Sequence, residues 1–135
     1  MSETTTQNAM SLDDLIERIA ATAFNTTLFT VYTNSKRVQH RAVKGQYPHL
    51  VVVGKVSARV EMVGMVETAE TLHNLDAAGR RWRTLEPLQA ATYLYVPRND
   101  GPDARTLCLR DKISISDFRH YWEDASGFHV EKCFA

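Results

Sequence analysis

The sequence predicts a single α/β domain with a mixed central sheet flanked by helices. Three observations point there. The chain has 135 residues, 44% of them hydrophobic and 24% charged, with only 6 Gly and 4 Pro. That balance suits one folded domain rather than a disordered or collagen-like chain. The apolar pattern also changes period along the chain, from helical spacing to strand-like runs and back. Finally, no apolar run approaches the 18 residues that a membrane-crossing helix needs. No membrane partner is therefore expected.

Residues 1–10 are polar and read as a disordered tail, leaving residues 11–135 as the single domain. The tail lacks the basic flank and apolar core of a secretory signal, so a cytoplasmic location is expected. A helix starts after Ser11, with Asp14 three residues on, close to a capping box. Leu12, Leu15, Ile16, Ile19, Ala23 and Phe24 then form one apolar stripe, and residues 25–27 end the helix. Residues 28–33 are rich in β-branched and aromatic side chains and read as a strand. Residues 37–43 form a weaker, more polar strand candidate. Residues 50–53 are wholly apolar, as for a strand covered on both faces. After a turn at Gly54-Lys55, residues 56–68 read as one long strand in which Gly64 marks a bulge or a close backbone approach.

Residues 69–83 return to helical spacing through Leu72, Leu75, Ala78 and Trp82. Residues 91–96 alternate as a strand, and Pro102 opens a helix that runs to about Arg110. In the last part, Ile113 and Ile115 suggest a short strand and Phe118, Tyr121 and Trp122 a helical turn. Residues 128–134 suggest a final strand after a Ser126-Gly127 turn. The order is helix, several strands, helix, strand, helix, strand.

The formal net charge is zero, from 16 basic and 16 acidic residues, but the charges are segregated. No acid lies between Glu17 and Glu61, whereas Arg18, Lys36, Arg37, Arg41, Lys44, Lys55 and Arg59 do. Lys36, Arg37, Arg41 and Lys44 are the candidate nucleic-acid-binding residues, for DNA or RNA. On strand geometry Arg37 and Arg41 share a face. The alternative reading is that these cations keep an exposed strand edge soluble. Trp82, among Arg80, Arg81 and Arg83, either grips a nucleic acid or packs in the core while the arginines face water. The two cysteines, Cys108 and Cys133, form no CxxC or Cys/His ligand pattern and read as reduced thiols. A phosphate-binding Gly-rich loop, a G-x-S-x-G elbow and an H-E-x-x-H motif are all missing.

One pair of segments carries a family likeness: Pro48-His49-Leu50-Val51-Val52-Val53, followed by Val60-Glu61-Met62-Val63-Gly64-Met65-Val66-Glu67-Thr68. It resembles the PD-(D/E)XK nuclease superfamily, the restriction-endonuclease-like fold, over residues 11–110. In that family a Pro-Asp opens a short apolar strand, and a second strand ends in acid-x-Lys. The order of elements also matches that family's core of helix, hairpin strands, helix and strand. The resemblance implies that the acids hold hard divalent cations through oxygen, while the Lys orients the attacking water.

This chain departs from the pattern. His49 stands where the aspartate belongs. If the triplet falls on Met65-Val66-Glu67, Met65 replaces the acid and Glu67 the Lys; if it falls on Glu67-Thr68-Ala69, the Lys is lost. The soft thioether of Met65 is no ligand for Mg²⁺. Glu61 and Glu67, six residues apart on one strand, are about 20 Å apart and cannot share a metal. A replacement set of His49, Glu67 and Glu17, the last being the acid that the family often carries on its first helix, is geometrically possible. With His49 and Glu67 as metal ligands, such a set suits Mn²⁺ or Zn²⁺ better than Mg²⁺. The competing roles are Glu67 at the start of the next helix, favoured by its dipole, and His49 as a turn residue bonded to nearby backbone.

The leading expectation is a catalytically degenerate nuclease-like domain retained for nucleic-acid binding or assembly, not an active nuclease. The alternatives are an active metal-dependent nuclease using His49, Glu67 and Glu17, and a homo-oligomeric protein-interaction module, a homodimer in its simplest form. No cofactor is expected, except a divalent metal if the domain is an active nuclease.

Overall fold

The computed structural model describes residues 10–134. The described residues form a six-stranded mixed sheet with three α-helices, in an α/β arrangement. The predicted tail falls outside them, apart from Met10.

Helix α1 (Leu12–Thr22) begins where local chemistry dictates. Ser11 is extended, and its hydroxyl accepts the Asp14 N–H at 3.1 Å. That satisfies one of the first-turn donors that lack an intrahelical partner. The buried residues Leu15, Ile16 and Ile19 recur at helical spacing and pack on one sheet face.

Strands β1 (Phe29–Thr33), β2 (Leu50–Gly54) and β3 (Val60–Val66) form an antiparallel meander. Helix α2 (Leu75–Arg83) crosses to β4 (Ala91–Pro97), parallel to β3, and helix α3 (Gly101–Asp111) crosses to β5 (Asp117–Asp124), parallel to β4. β6 (Gly127–Lys132) returns antiparallel to β5. The sheet order follows the chain, β1 to β6. Two crossovers stepping the same way across the sheet place their helices on the same face. Thus Leu50 and Val52 of β2 face α1, while Val51 and Val53 join Ala78, Trp82, Ala104 and Leu107 of α2 and α3. Both faces of β2 are covered, which is why every position in it is apolar or Gly and buried.

Four segments differ from the sequence expectation. Residues 37–43 form no strand; only the isolated bridges Asn34–Gln39 and Val43–Gln46 occur there. The buried Asn34 side chain replaces a ladder. Its amide donates to the Arg41 and Pro48 carbonyls, each at 2.7 Å, and its oxygen accepts the His40 and Arg41 N–H groups. Arg37 and Arg41 are therefore not held on one strand face. The third strand starts at Val60 rather than Val56, because Gly54 to Ala58 closes a turn, Ala58 sits at φ 58°, and Val56 is 99% exposed.

Residues 69–83 split into a 3-10 turn (Thr71–His73) and α2, whose start is fixed by the Asn74 side chain accepting the Ala77 N–H. In the last part, the short strand expected at Ile113 and Ile115 is missing, and residues 117–124 form one strand rather than a helical turn at Phe118, Tyr121 and Trp122. Pairing with both β4 and β6 overrides the local aromatic spacing. Gly64 is a close approach: a Cβ there would lie 3.1 Å from the Tyr95 ring and 3.2 Å from Leu50. The register shift instead falls in β2, between Val52 and Val53.

Candidate functional site

The C-terminal ends of the parallel strands β3, β4 and β5 lie at one end of the sheet, and the antiparallel start of β2 joins them there. The motif residues sit at this end. The Glu67 N–H continues the ladder to the Tyr95 carbonyl at 2.9 Å, and its own carbonyl accepts the Tyr121 hydroxyl at 2.8 Å. Strand alternation turns the Glu67 side chain to the face of Val63 and Met65, over α2. Met65 is a core residue, packed with the leucines and valines of that layer.

The Glu67 carboxylate is 1% exposed. A lone charge there would be prohibitive, and two consecutive residues of α2 prevent that. Arg81 Nη2 donates to Oε1 at 2.5 Å, and the Trp82 indole N–H donates to Oε2 at 2.9 Å. Arg81 also reaches the Thr71 carbonyl at 3.3 Å. Both carboxylate oxygens are thus engaged by charge-assisted or buried donors. Trp82 itself is fully buried, while Arg80 and Arg83 are exposed. The indole therefore packs in the core, as in the second of its two expected roles.

His49 precedes β2, and its Nδ1 accepts the Val66 N–H at 2.9 Å. An acceptor nitrogen carries no proton, so the neutral ring holds its proton on Nε2. Burial pushes the His49 pKa below its usual value. The Arg81 charge acts in the same sense, while the charges of Glu67 and Asp13 oppose it. His49 thus takes the backbone-bonded role.

Glu17 is engaged elsewhere: the Thr33 hydroxyl donates to it at 2.6 Å, holding α1 to the end of β1. The acid of α1 whose charge acts on His49 is Asp13, one turn earlier. The set of His49, Glu67 and Glu17 does not assemble. Among the described residues no three His, Cys, Asp or Glu side chains gather within reach of one metal ion. A divalent cation would have to displace Arg81 and Trp82 from Glu67 and the Val66 N–H from His49. As arranged, these donors do not fit one.

The basic candidates are dispersed along the loop between β1 and β2. Arg37 Nε lies 3.4 Å from Asp13, with its side chain 79% exposed. The Arg41 guanidinium stacks over Tyr32 at 5.2 Å. Lys44 Nζ donates to Gln89 Oε1 at 3.0 Å. The Lys36 backbone N–H lies 3.4 Å from Asp13, and Lys36 lines a cavity of about 720 Å³ at the same end of the sheet.

A second polar group lies on the β5–β6 hairpin. Asp124 Oδ1 accepts the Ser126 hydroxyl at 2.7 Å and meets His129 Nε2 at 3.0 Å; the same Nε2 lies 3.0 Å from the Ser126 oxygen. One ring nitrogen faces both groups, so a proton relay through the imidazole is not built. These contacts hold the Asp124 carboxyl well below the usual carboxylate range. They fold the turn.

Asp13, Arg81 and the partnership of Trp82 with Glu67 were not foreseen from sequence. The available signal was a buried-strand acid that needs a cation, with a run of arginines beginning 13 residues later. Comparison with protein-family models, curated proteins and solved structures finds no match to this chain.

Proposed function

We propose that this chain is a catalytically degenerate nuclease-like domain with a restriction-endonuclease-like core, retained for binding nucleic acid. The observation that carries the reading is the saturated Glu67 carboxylate at the motif position. A family site would present that acid to a metal; here a guanidinium and an indole hold it. The order helix, three antiparallel strands, helix, parallel strand supports the frame, because it is the order that the motif alignment requires. Binding would use the acid-free loop between β1 and β2. There Arg37 is largely exposed and makes only a long contact to Asp13, so it can exchange that partner for a phosphate.

Two measurements test this. Incubation with single- and double-stranded DNA and RNA in Mg²⁺ or Mn²⁺ should give no cleavage above background. At low ionic strength the protein should bind duplex weakly and without sequence preference. The change Arg37→Ala with Arg41→Ala should lower affinity and reduce the salt slope by roughly two units, at about 0.9 per phosphate contact. Metal-dependent cutting abolished by Glu67→Ala, or binding indifferent to the double change, refutes the proposal.

A further inference from the structure

The cavity of about 720 Å³ lies where the carboxyl ends of β3, β4 and β5 meet the first turn of α1. The volume falls in the usual range for small-molecule sites. Its apolar lining includes Leu12, Leu15, Pro97, Tyr121 and Phe128, the last two stacked at 6.0 Å between ring centroids.

The charged groups on its rim divide clearly. Asp13 makes 3.4 Å contacts with Arg37 and with the Lys36 backbone N–H, and Glu123 pairs with Arg18 at 3.0 Å. Thr68 and Thr71 bond to each other. Among the described residues, that leaves the Lys36 ammonium and the Glu70 carboxylate as rim charges without an ion-pair or hydrogen-bond partner. Lys36 stands beside the first turn of α1, the positive end of that helix. Glu70 comes from the turn after β3.

We propose that this cavity binds a small zwitterion with a large apolar side chain, an α-amino acid of the phenylalanine or leucine kind. The carboxylate would pair with Lys36, the ammonium with Glu70, and the side chain would lie on Tyr121 and Phe128. One free charge of each sign beside an apolar surface complements both charges of that ligand, where a singly charged one would use only one of them. The nucleic-acid reading is tested at Arg37 and Arg41 and the present one at Lys36 and Glu70, although the two adjoin at Asp13, which contacts Arg37.

The test is calorimetric titration of the full chain with L-phenylalanine, phenethylammonium, 3-phenylpropionate and N-acetylphenylalaninamide. Trp122 borders the cavity and Trp82 is buried elsewhere, so Trp122 fluorescence gives a parallel signal. L-phenylalanine should bind saturably, and each of the other three roughly tenfold or more weakly, about 1.4 kcal/mol per lost charge pair. Glu70→Gln should weaken L-phenylalanine and leave 3-phenylpropionate unchanged. Lys36→Gln should weaken L-phenylalanine and leave phenethylammonium unchanged. No saturable binding at millimolar ligand, equal binding of a singly charged analogue, or indifference to both substitutions overturns the proposal.

Discussion

Arg81→Met isolates the central interaction of the motif strand. The change keeps an unbranched helix-forming side chain on α2 but removes the guanidinium. Glu67 is then left 1% exposed with the Trp82 indole as its remaining side-chain donor. Removing one partner of a buried pair costs about 3–5 kcal/mol, because the other charge stays behind. The Arg81 side chain is 39% exposed, so water can partly take its place, and the lower end, about 3 kcal/mol, is expected. For a domain of this size that corresponds to a fall in Tm of about 10 °C. Glu67→Gln alone should cost about 1–3 kcal/mol, since its amide N–H₂ turns a donor toward a donor. In the double variant the Gln oxygen can still accept from Trp82, and no buried charge remains. The double should therefore cost about 2 kcal/mol less than the sum of the singles. Urea unfolding at constant m-value measures all four corners of the cycle. A loss below 1 kcal/mol in Arg81→Met, or strictly additive singles, would refute the view that the pair shields a buried charge.

Two further outcomes follow from the same end of the sheet. The folded-state pKa of His49 lies below its unfolded value near 6.5, so the unfolded chain takes up the proton first. The stabilising contribution is complete above about pH 6.5 and falls as the pH drops toward the folded pKa. Urea midpoints at pH 7.5 and 5.0 should differ less in His49→Gln than in the parent; an unchanged difference would show that His49 does not carry it. Gly64→Ala places a methyl 3.1 Å from the Tyr95 ring and 3.2 Å from Leu50, so that one of these buried side chains must shift by a few tenths of an ångström. A loss of about 1–3 kcal/mol is expected by thermal unfolding, and a neutral result would show that the ring yields.

What could be read from the sequence was what short-range chemistry decides. The Ser11 cap and the Pro102 helix start depend on neighbours within four residues, the covering of β2 on both faces is written in its own all-apolar run, and each stands in the structure. What could not be read depends on distant partners. Residues 117–124 carry aromatics at positions compatible with either a helix or a strand, and only pairing with β4, more than twenty residues earlier, decides between them. The loop between β1 and β2 looked like a strand because its organiser, the Asn34 side chain, cannot be told from any other turn asparagine. The site was legible in part. Residues 49 and 67 do lie at the same end of the sheet. Their chemistry was not legible, because the partners that occupy Glu67 come from a helix whose phase was set only when Asn74 fixed its start.

That separation between place and chemistry has a structural cause. The meander and the two parallel crossovers bring the starts of α1 and β2 and the ends of β3, β4 and β5 to one end of the sheet through backbone pairing. Glu67 pairs with Tyr95 through main-chain atoms, and His49 supports both the Asn34 N–H, through its carbonyl, and the Val66 N–H, through its ring. Side chains at this end can therefore change while the frame stands. What they cannot do is leave a buried acid without positive charge. A metal ion meets that need from outside the chain and leaves coordination positions open for chemistry. Arg81 meets it from within, with Trp82 on the second oxygen, and closes the carboxylate to other ligands. The same two residues that let Glu67 remain in the core are those that take it out of use as a metal ligand.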